Sequence, residues 1–172
     1  MREFLRVYPD FIFYGFEAQK ELLPYAQKIK EEFPDRIAQL EFKAVSTHDG
    51  TADFYLAQQW GENYRGASTL VLGQGKEKRN IDFSNPVNIE TINFSRWIKK
   101  MFHRDDYLIV KMDIEGSEFP VLTQLVHDNS LDYINEIFIE FHNEKKLLSR
   151  FLRKQWLVYE IRKRGIMLHP WK

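Results

Sequence analysis

Short apolar runs that end in polar clusters alternate along this chain with longer stretches in which apolar residues recur three and four apart. The first pattern suits strands and the second helices, so their alternation confines the chain to an α/β fold with strands and helices in turn. The first run, Phe11 to Phe16, is nearly continuous in apolar character, as a strand covered on both faces would be. A helix is predicted from about Lys20 to Phe33, with Pro24 in its first turn and Pro34-Asp35 closing it. A second strand is predicted from Leu40 to Ser46. Asp49-Gly50 then separates it from the alternating run Thr51 to Leu56, which reads as a hairpin.

Residues 58 to 85 lack a clear period, which in a compact domain suggests a functional loop or lid. A short strand from Val87 to Ile92 leads into a helix striped by Phe94, Trp97, Ile98, Met101 and Phe102, with Asn93 or Ser95 as its cap. Tyr107 to Ile114 reads YLIVKMDI, a buried strand broken by Gly116. A helix to about His127 follows, with Ser117 as cap and Glu118 complementing the dipole. Ile134 to Phe141 is a further strand, and a long helix from Glu144 to about Lys163 carries Leu147, Leu148, Phe151, Leu152 and Ile161. Gly165 ends it, before a short strand at Ile166 to Leu168. No internal repeat or boundary divides residues 1–172, so one domain is expected.

At 172 residues the chain can bury about 70% of its unfolded surface and needs neither disulfide nor structural metal for a core. Its 25 basic and 25 acidic side chains cancel, which argues against the broad basic face of a nucleic-acid or membrane-surface protein. The absence of cysteine excludes thiol catalysis and Cys-ligated zinc. Charges spread through residues 1 to 20 are unlike a signal peptide, and no window is apolar enough for a membrane helix, so a cytoplasmic protein is expected. Oligomeric state cannot be read from these features.

Ligands in open α/β sheets collect at the carboxyl ends of strands. There the sequence places Glu17, then Ser46 to Asp49, then Asp113, Glu115 and Glu118, then Glu140 and His142. Any one carboxylate past a strand also serves as a helix cap or solvated turn residue. Acidic residues at three strand ends are a constellation. His142 is the candidate base, since an imidazole accepts a hydroxyl proton and a neighbouring carboxylate, with Glu140 the nearest in sequence, orients it and raises its pKa. As a strand-end residue it could equally satisfy a backbone group. Asp113, Glu115, Glu140 and His142 are also of the ligand types that magnesium, manganese or zinc accept, although their spacing does not demand a metal.

The segment KMDIEGSE at 111–118, followed by Val121-Leu122, resembles the signature of the FkbM family of S-adenosylmethionine-dependent methyltransferases. In the same order, YGFEAQ at 14–19 resembles its acidic ribose-binding loop, KAVSTHDGTADFY at 43–55 its strand-and-hairpin segment, and IEFHNE at 139–144 its strand ending near Glu and His. The resemblance implies a Rossmann-like class I methyltransferase sheet, S-adenosylmethionine as cofactor, and methyl transfer to a hydroxyl of a sugar, other glycan acceptor or secondary metabolite. It further implies that Glu17 holds the cofactor ribose, that Ala44, Val45 and Ser46 line the adenine, and that Asp113 faces the methionine end or the acceptor, with Glu115 completing the signature. The family's glycine-rich turn should precede residue 11 by a helix length. MREFLRVYPD instead reads as the tail of the first helix, with Phe4, Leu5 and Val7 on its apolar side. A sheet missing its first strand, in an N-terminally truncated domain, is the expectation. Gly73-Gln74-Gly75 lacks a third glycine and a following helix, so it reads as loop.

Two other readings stay open at this level: a metal-dependent transferase or hydrolase acting on sugar phosphates, and a methyltransferase-like module without activity. Trp60, Tyr64 and Arg65 could stack on an acceptor sugar or anchor their loop. The basic residues between Lys145 and Arg164 read as a solvated helix face. His169-Pro170-Trp171 is too short to interpret.

Overall fold

The structure is a computed structural model that describes residues 1–57, 68–72, 81–142 and 148–171. It forms two compact units, Met1–Ala44 and Val45–Lys172. The loop aromatics Trp60 and Tyr64, with Arg65, the turn Gly73-Gln74-Gly75, and residues 143–147 including Glu144, Lys145 and Lys146 lie outside the described residues.

The first unit opens with helix α1 (Arg2–Val7), whose Leu5 is buried while Val7 is exposed, so its apolar side is narrower than Phe4, Leu5 and Val7 together suggest. Strand β1 (Phe13–Phe16) is half-buried throughout, where the apolar run predicted cover on both faces. A single 3-10 turn at Lys20–Leu22 leads into helix α2 (Leu23–Glu32), and Pro24 sits in its first turn, where its missing N–H costs nothing. Strand β2 (Ile37–Glu41) pairs in parallel with β1, Gly15 opposite Leu40. This start is three residues earlier than the apolar run suggests. The Arg36 guanidinium donates to the carbonyls of Phe11 and Tyr8 at 2.8 and 2.5 Å, and the Phe13 N–H donates to the Arg36 carbonyl at 2.8 Å. Those bonds bring the chain into register at residue 37, a tertiary effect invisible to hydrophobic pattern.

The segment expected as one strand from Leu40 to Ser46 is thus two, β2 and then β3 (Ala44–Ser46). In the second unit, β4 (Gly50–Phe54) does not fold back on β3. It pairs antiparallel with β5 (Val87–Asn93), and β5 lies between the other two in the order β3-β5-β4. The hairpin expectation fails because Asp49 is used across the fold: its Oδ1 accepts the Asn93 N–H at 3.0 Å, and its carboxylate pairs with Arg96. A longer strand with more cross-strand bonds displaced the local turn.

Helix α3 (Phe94–Met101) begins at Asn93, whose side chain accepts the Arg96 N–H at 3.0 Å, while Ser95 bonds to Asp128 instead of capping. Phe94 and Ile98 are buried, and the Phe94 and Trp97 rings stack 5.7 Å apart. Strands β6 (Ile109–Met112), β7 (Glu136–Ile139) and β8 (Met167–Pro170) form a parallel sheet in that order. Val110, Met112, Ile137 and Ile139 line its buried face. Helix α4 (Glu118–His127) connects β6 toward β7 and buries Phe119, Val121, Leu122, Leu125 and Val126, while helix α5 (Leu148–Lys163) connects β7 to β8. The predicted stripe on α5 holds only at its far end. Leu157 and Ile161 are fully buried, but Leu148, Phe151 and Leu152 are exposed. The helix ends at Lys163, and Gly165 in the turn that follows takes a φ of 76°, open to glycine without strain.

Candidate functional site

Strands β6 and β7 run parallel with Met112 opposite Ile139, so the residues that follow each strand emerge side by side. The Glu140 N–H continues the ladder by donating to the Met112 carbonyl at 3.1 Å. Asp113 therefore leaves one strand beside Glu140 leaving the next, and His142 comes two residues later. This is the carboxyl end of a parallel sheet, where α/β folds gather polar chemistry.

The turn from β6 into α4 is unusual. Glu115 has φ 51° and Gly116 φ 101°, two consecutive left-handed residues, of which only the glycine adopts that region freely. The Thr69 hydroxyl, almost wholly buried, donates to the Glu115 carbonyl at 2.6 Å and holds the strained residue from another segment. Ser117 occupies the N-cap position but makes no capping bond with its side chain. Glu118, the first residue of the helix, folds back onto the turn before it: its Oε1 accepts the Ile114 N–H at 3.1 Å and its Oε2 the Gly116 N–H at 2.8 Å.

Glu118 is fully buried, and it has a third partner: His142 Nδ1 lies 2.8 Å from its Oε1. Since both carboxylate oxygens already accept backbone N–H groups, the imidazole Nδ1–H is the donor in that bond. His142 is itself 7% exposed. Its other nitrogen, Nε2, faces Glu115 Oε2 at 3.3 Å, Glu140 Oε1 at 3.6 Å and Asp113 Oδ1 at 4.0 Å. One imidazole is thus surrounded by four carboxylates. Burial of the ring works against its charge, but the hydrogen bond and charge of Glu118 and the charges of Glu115 and Glu140 outweigh it, so the His142 pKa is raised. Phe119 and Phe141, with rings 5.4 Å apart, are the chain neighbours of Glu118 and His142 and place apolar surface beside them.

The structure brings together Asp113, Glu115, Glu118, Glu140 and His142 from the strand-end candidates, and makes Glu118, read from sequence as a helix-start charge, the carboxylate that is hydrogen-bonded to the imidazole. A charged residue between Ser117 and the apolar run FPVL was the available signal, since the pattern buries that turn. Thr69 carried no such signal.

Glu17, in the first unit, directly follows β1. Its N–H extends the β1–β2 ladder to the Glu41 carbonyl at 2.9 Å, and its Oε1 accepts the Gln19 N–H at 2.9 Å, which fixes the carboxylate at the strand end. Of the three residues of β3, Ala44 and Ser46 are buried and Val45 is half-buried. Beyond it, the Thr47 carbonyl accepts from the side chains of Asn93 and Gln124 at 2.8 and 3.1 Å, so the 46–49 cluster has a structural use at the start of α3.

Parallel strands with an imidazole and carboxylates at their carboxyl ends define an α/β protein with a strand-end polar centre. A family model described as the methyltransferase FkbM domain matches residues 5–162. The chain belongs to the FkbM methyltransferase family, which generally uses S-adenosylmethionine. No curated protein and no solved structure matches the chain significantly. Among the described residues no helix is long and apolar enough to cross a membrane.

Proposed function

We propose that this chain transfers a methyl group from S-adenosylmethionine to a hydroxyl oxygen of a small molecule or glycan, working in the cytoplasm as one Rossmann-like domain without nucleic acid or membrane as partner. The observation that supports this reading is the convergence of His142, Asp113, Glu115, Glu118 and Glu140 at the ends of β6 and β7, within a chain of a methyltransferase family. The cofactor supplies a methyl carbon on a sulfonium, with a neutral thioether as leaving group. A bond from acceptor oxygen to that carbon forms as the bond to sulfur breaks with its electron pair, and the hydroxyl proton passes to a base of the centre. Positioning provides much of the acceleration in such a displacement.

In this reading Glu17 accepts hydrogen bonds from the ribose hydroxyls, a task its chemistry and fixed position at the end of β1 suit. Ala44, Val45 and Ser46 lie along the adenine, and Asp113 and Glu115 serve the methionine end or the acceptor. His142, with Asp113 and Glu140, makes up the catalytic set, and Glu118 positions the imidazole. Titration of the protein with S-adenosylhomocysteine by calorimetry tests it. Saturable binding is expected, weakened about 10- to 100-fold in Glu17→Ala, the loss of one or two hydrogen bonds to a charged group. Absence of binding, or binding indifferent to Glu17, would overturn the reading.

A further inference from the structure

Glu118 determines which nitrogen of His142 is presented to the other carboxylates. With Nδ1–H committed to Glu118, Nε2 is the nitrogen turned toward oxygens of Glu115, Glu140 and Asp113, at 3.3, 3.6 and 4.0 Å. Three anionic oxygens around one nitrogen of a side chain more than nine-tenths buried favour positive charge at Nε2, supplied by a proton or by a metal ion that displaces it. A proton on Nε2 points in one direction and answers one oxygen. A metal ion answers several at once.

The separations suit a metal. Bonds of about 2.0–2.2 Å from one ion to nitrogen and oxygen donors set neighbouring donor atoms about 3–4 Å apart. Nε2 to Glu115 and Nε2 to Asp113 fall in that range, and one donor atom from each of Asp113, Glu115 and His142 lies within 4.8 Å of the other two. Lys111 Nζ engages the other oxygen of Asp113, Oδ2, at 3.2 Å, so Oδ1 is the one turned toward the imidazole. The Glu118–His142 bond itself has the form that metal-binding histidines show, in which the nitrogen away from the ion donates to a buried carboxylate that fixes the ring.

We propose that His142 Nε2, Asp113 Oδ1 and Glu115 Oε2 form a binding site for a divalent transition-metal cation, manganese or zinc. One imidazole with two carboxylates is a mixed donor set that these ions accept, whereas magnesium and calcium favour oxygen alone. Three protein donors leave further positions on the ion for an oxygen of another molecule. In the methyl-transfer reading, on which this use rests, that oxygen is the acceptor hydroxyl, which the cation orients and makes more acidic; both nitrogens of His142 are then engaged, and Glu140 is the base that takes the proton.

The full chain, stripped with a chelator and dialysed, is titrated with manganese chloride and, separately, zinc chloride by calorimetry. The manganese complex is then examined by pulsed electron paramagnetic resonance. About one equivalent of at least one ion is expected to bind, Asp113→Asn and Glu115→Gln each weakening it at least tenfold, with nitrogen coupling from a directly bound imidazole. Saturable binding of neither ion, or affinity indifferent to both substitutions, overturns the site. Should either variant fail to fold, the coupling in the parent decides, and its absence from a bound manganese ion overturns the site. S-adenosylhomocysteine binding measured in chelator is a separate readout, so loss of the metal site and loss of the methyl-transfer reading are told apart.

Discussion

Helices α3 and α4 both follow a strand in the second unit, and they begin in opposite ways. At α3 the start is local and partly solvated: Asn93 accepts the Arg96 N–H, and Asp49 and the Thr47 carbonyl hold Asn93 in turn. At α4 the side chain of Ser117 makes no cap, and Glu118, fully buried, reaches back to the N–H groups of Ile114 and Gly116 in the preceding turn and across to His142. A carboxylate kept out of water between the amides of the preceding turn and an imidazole marks that turn as serving more than the start of the helix.

Substitutions break or sharpen this contrast. Glu118→Ala removes the partner of a buried imidazole and strands two backbone donors, so it should cost about 3–5 kcal/mol, read by urea unfolding of parent and variant. A loss below about 1.5 kcal/mol would reduce Glu118 to an ordinary acceptor for its turn. Asn93→Ala should cost about 1 kcal/mol in the same measurement, and a loss as large as that of Glu118→Ala would erase the contrast. The smallest effect concerns Asp128, which receives the Ser95 hydroxyl from the first turn of α3. Burial pushes its pKa up, but the hydrogen bonds from Ser130 and Ser95 and the charge of Lys99 outweigh that and hold it below the ordinary value of 3.8. Its folded pKa is depressed, so its contribution is fully present above that ordinary value and fades as pH falls through the folded one. Asp128→Asn should therefore flatten the acid side of a plot of stability against pH below about 4. An acid limb as steep as the parent's would show that Asp128 adds nothing to it.

The candidate centre was largely legible because it is built from residues adjacent to strands. The apolar runs before Asp113 and before Glu140 identify β6 and β7, and parallel pairing then brings those residues and His142 together. The partner of the imidazole was not legible. Glu140 is nearest to His142 in sequence and Glu118 is 24 residues away, yet the hydrogen bond goes to Glu118 because the backbone turns through Glu115 and Gly116. The exposed half of α5 was hidden for a similar reason. Leu148, Phe151 and Leu152 have the same helical spacing as buried residues, and only the packing of Leu157 and Ile161 distinguishes them.

The sequence by itself determined the α/β class, most of the helices and the residues that crowd the ends of β6 and β7, since these depend on local spacing and on which side chains follow an apolar run. Tertiary structure alone decided that β5 would separate β3 from β4, that β2 would begin at Ile37 and that Glu118 would face His142. Each of those outcomes turns on hydrogen bonds between groups far apart in the chain, whose formation depends on burial and geometry that no local pattern contains.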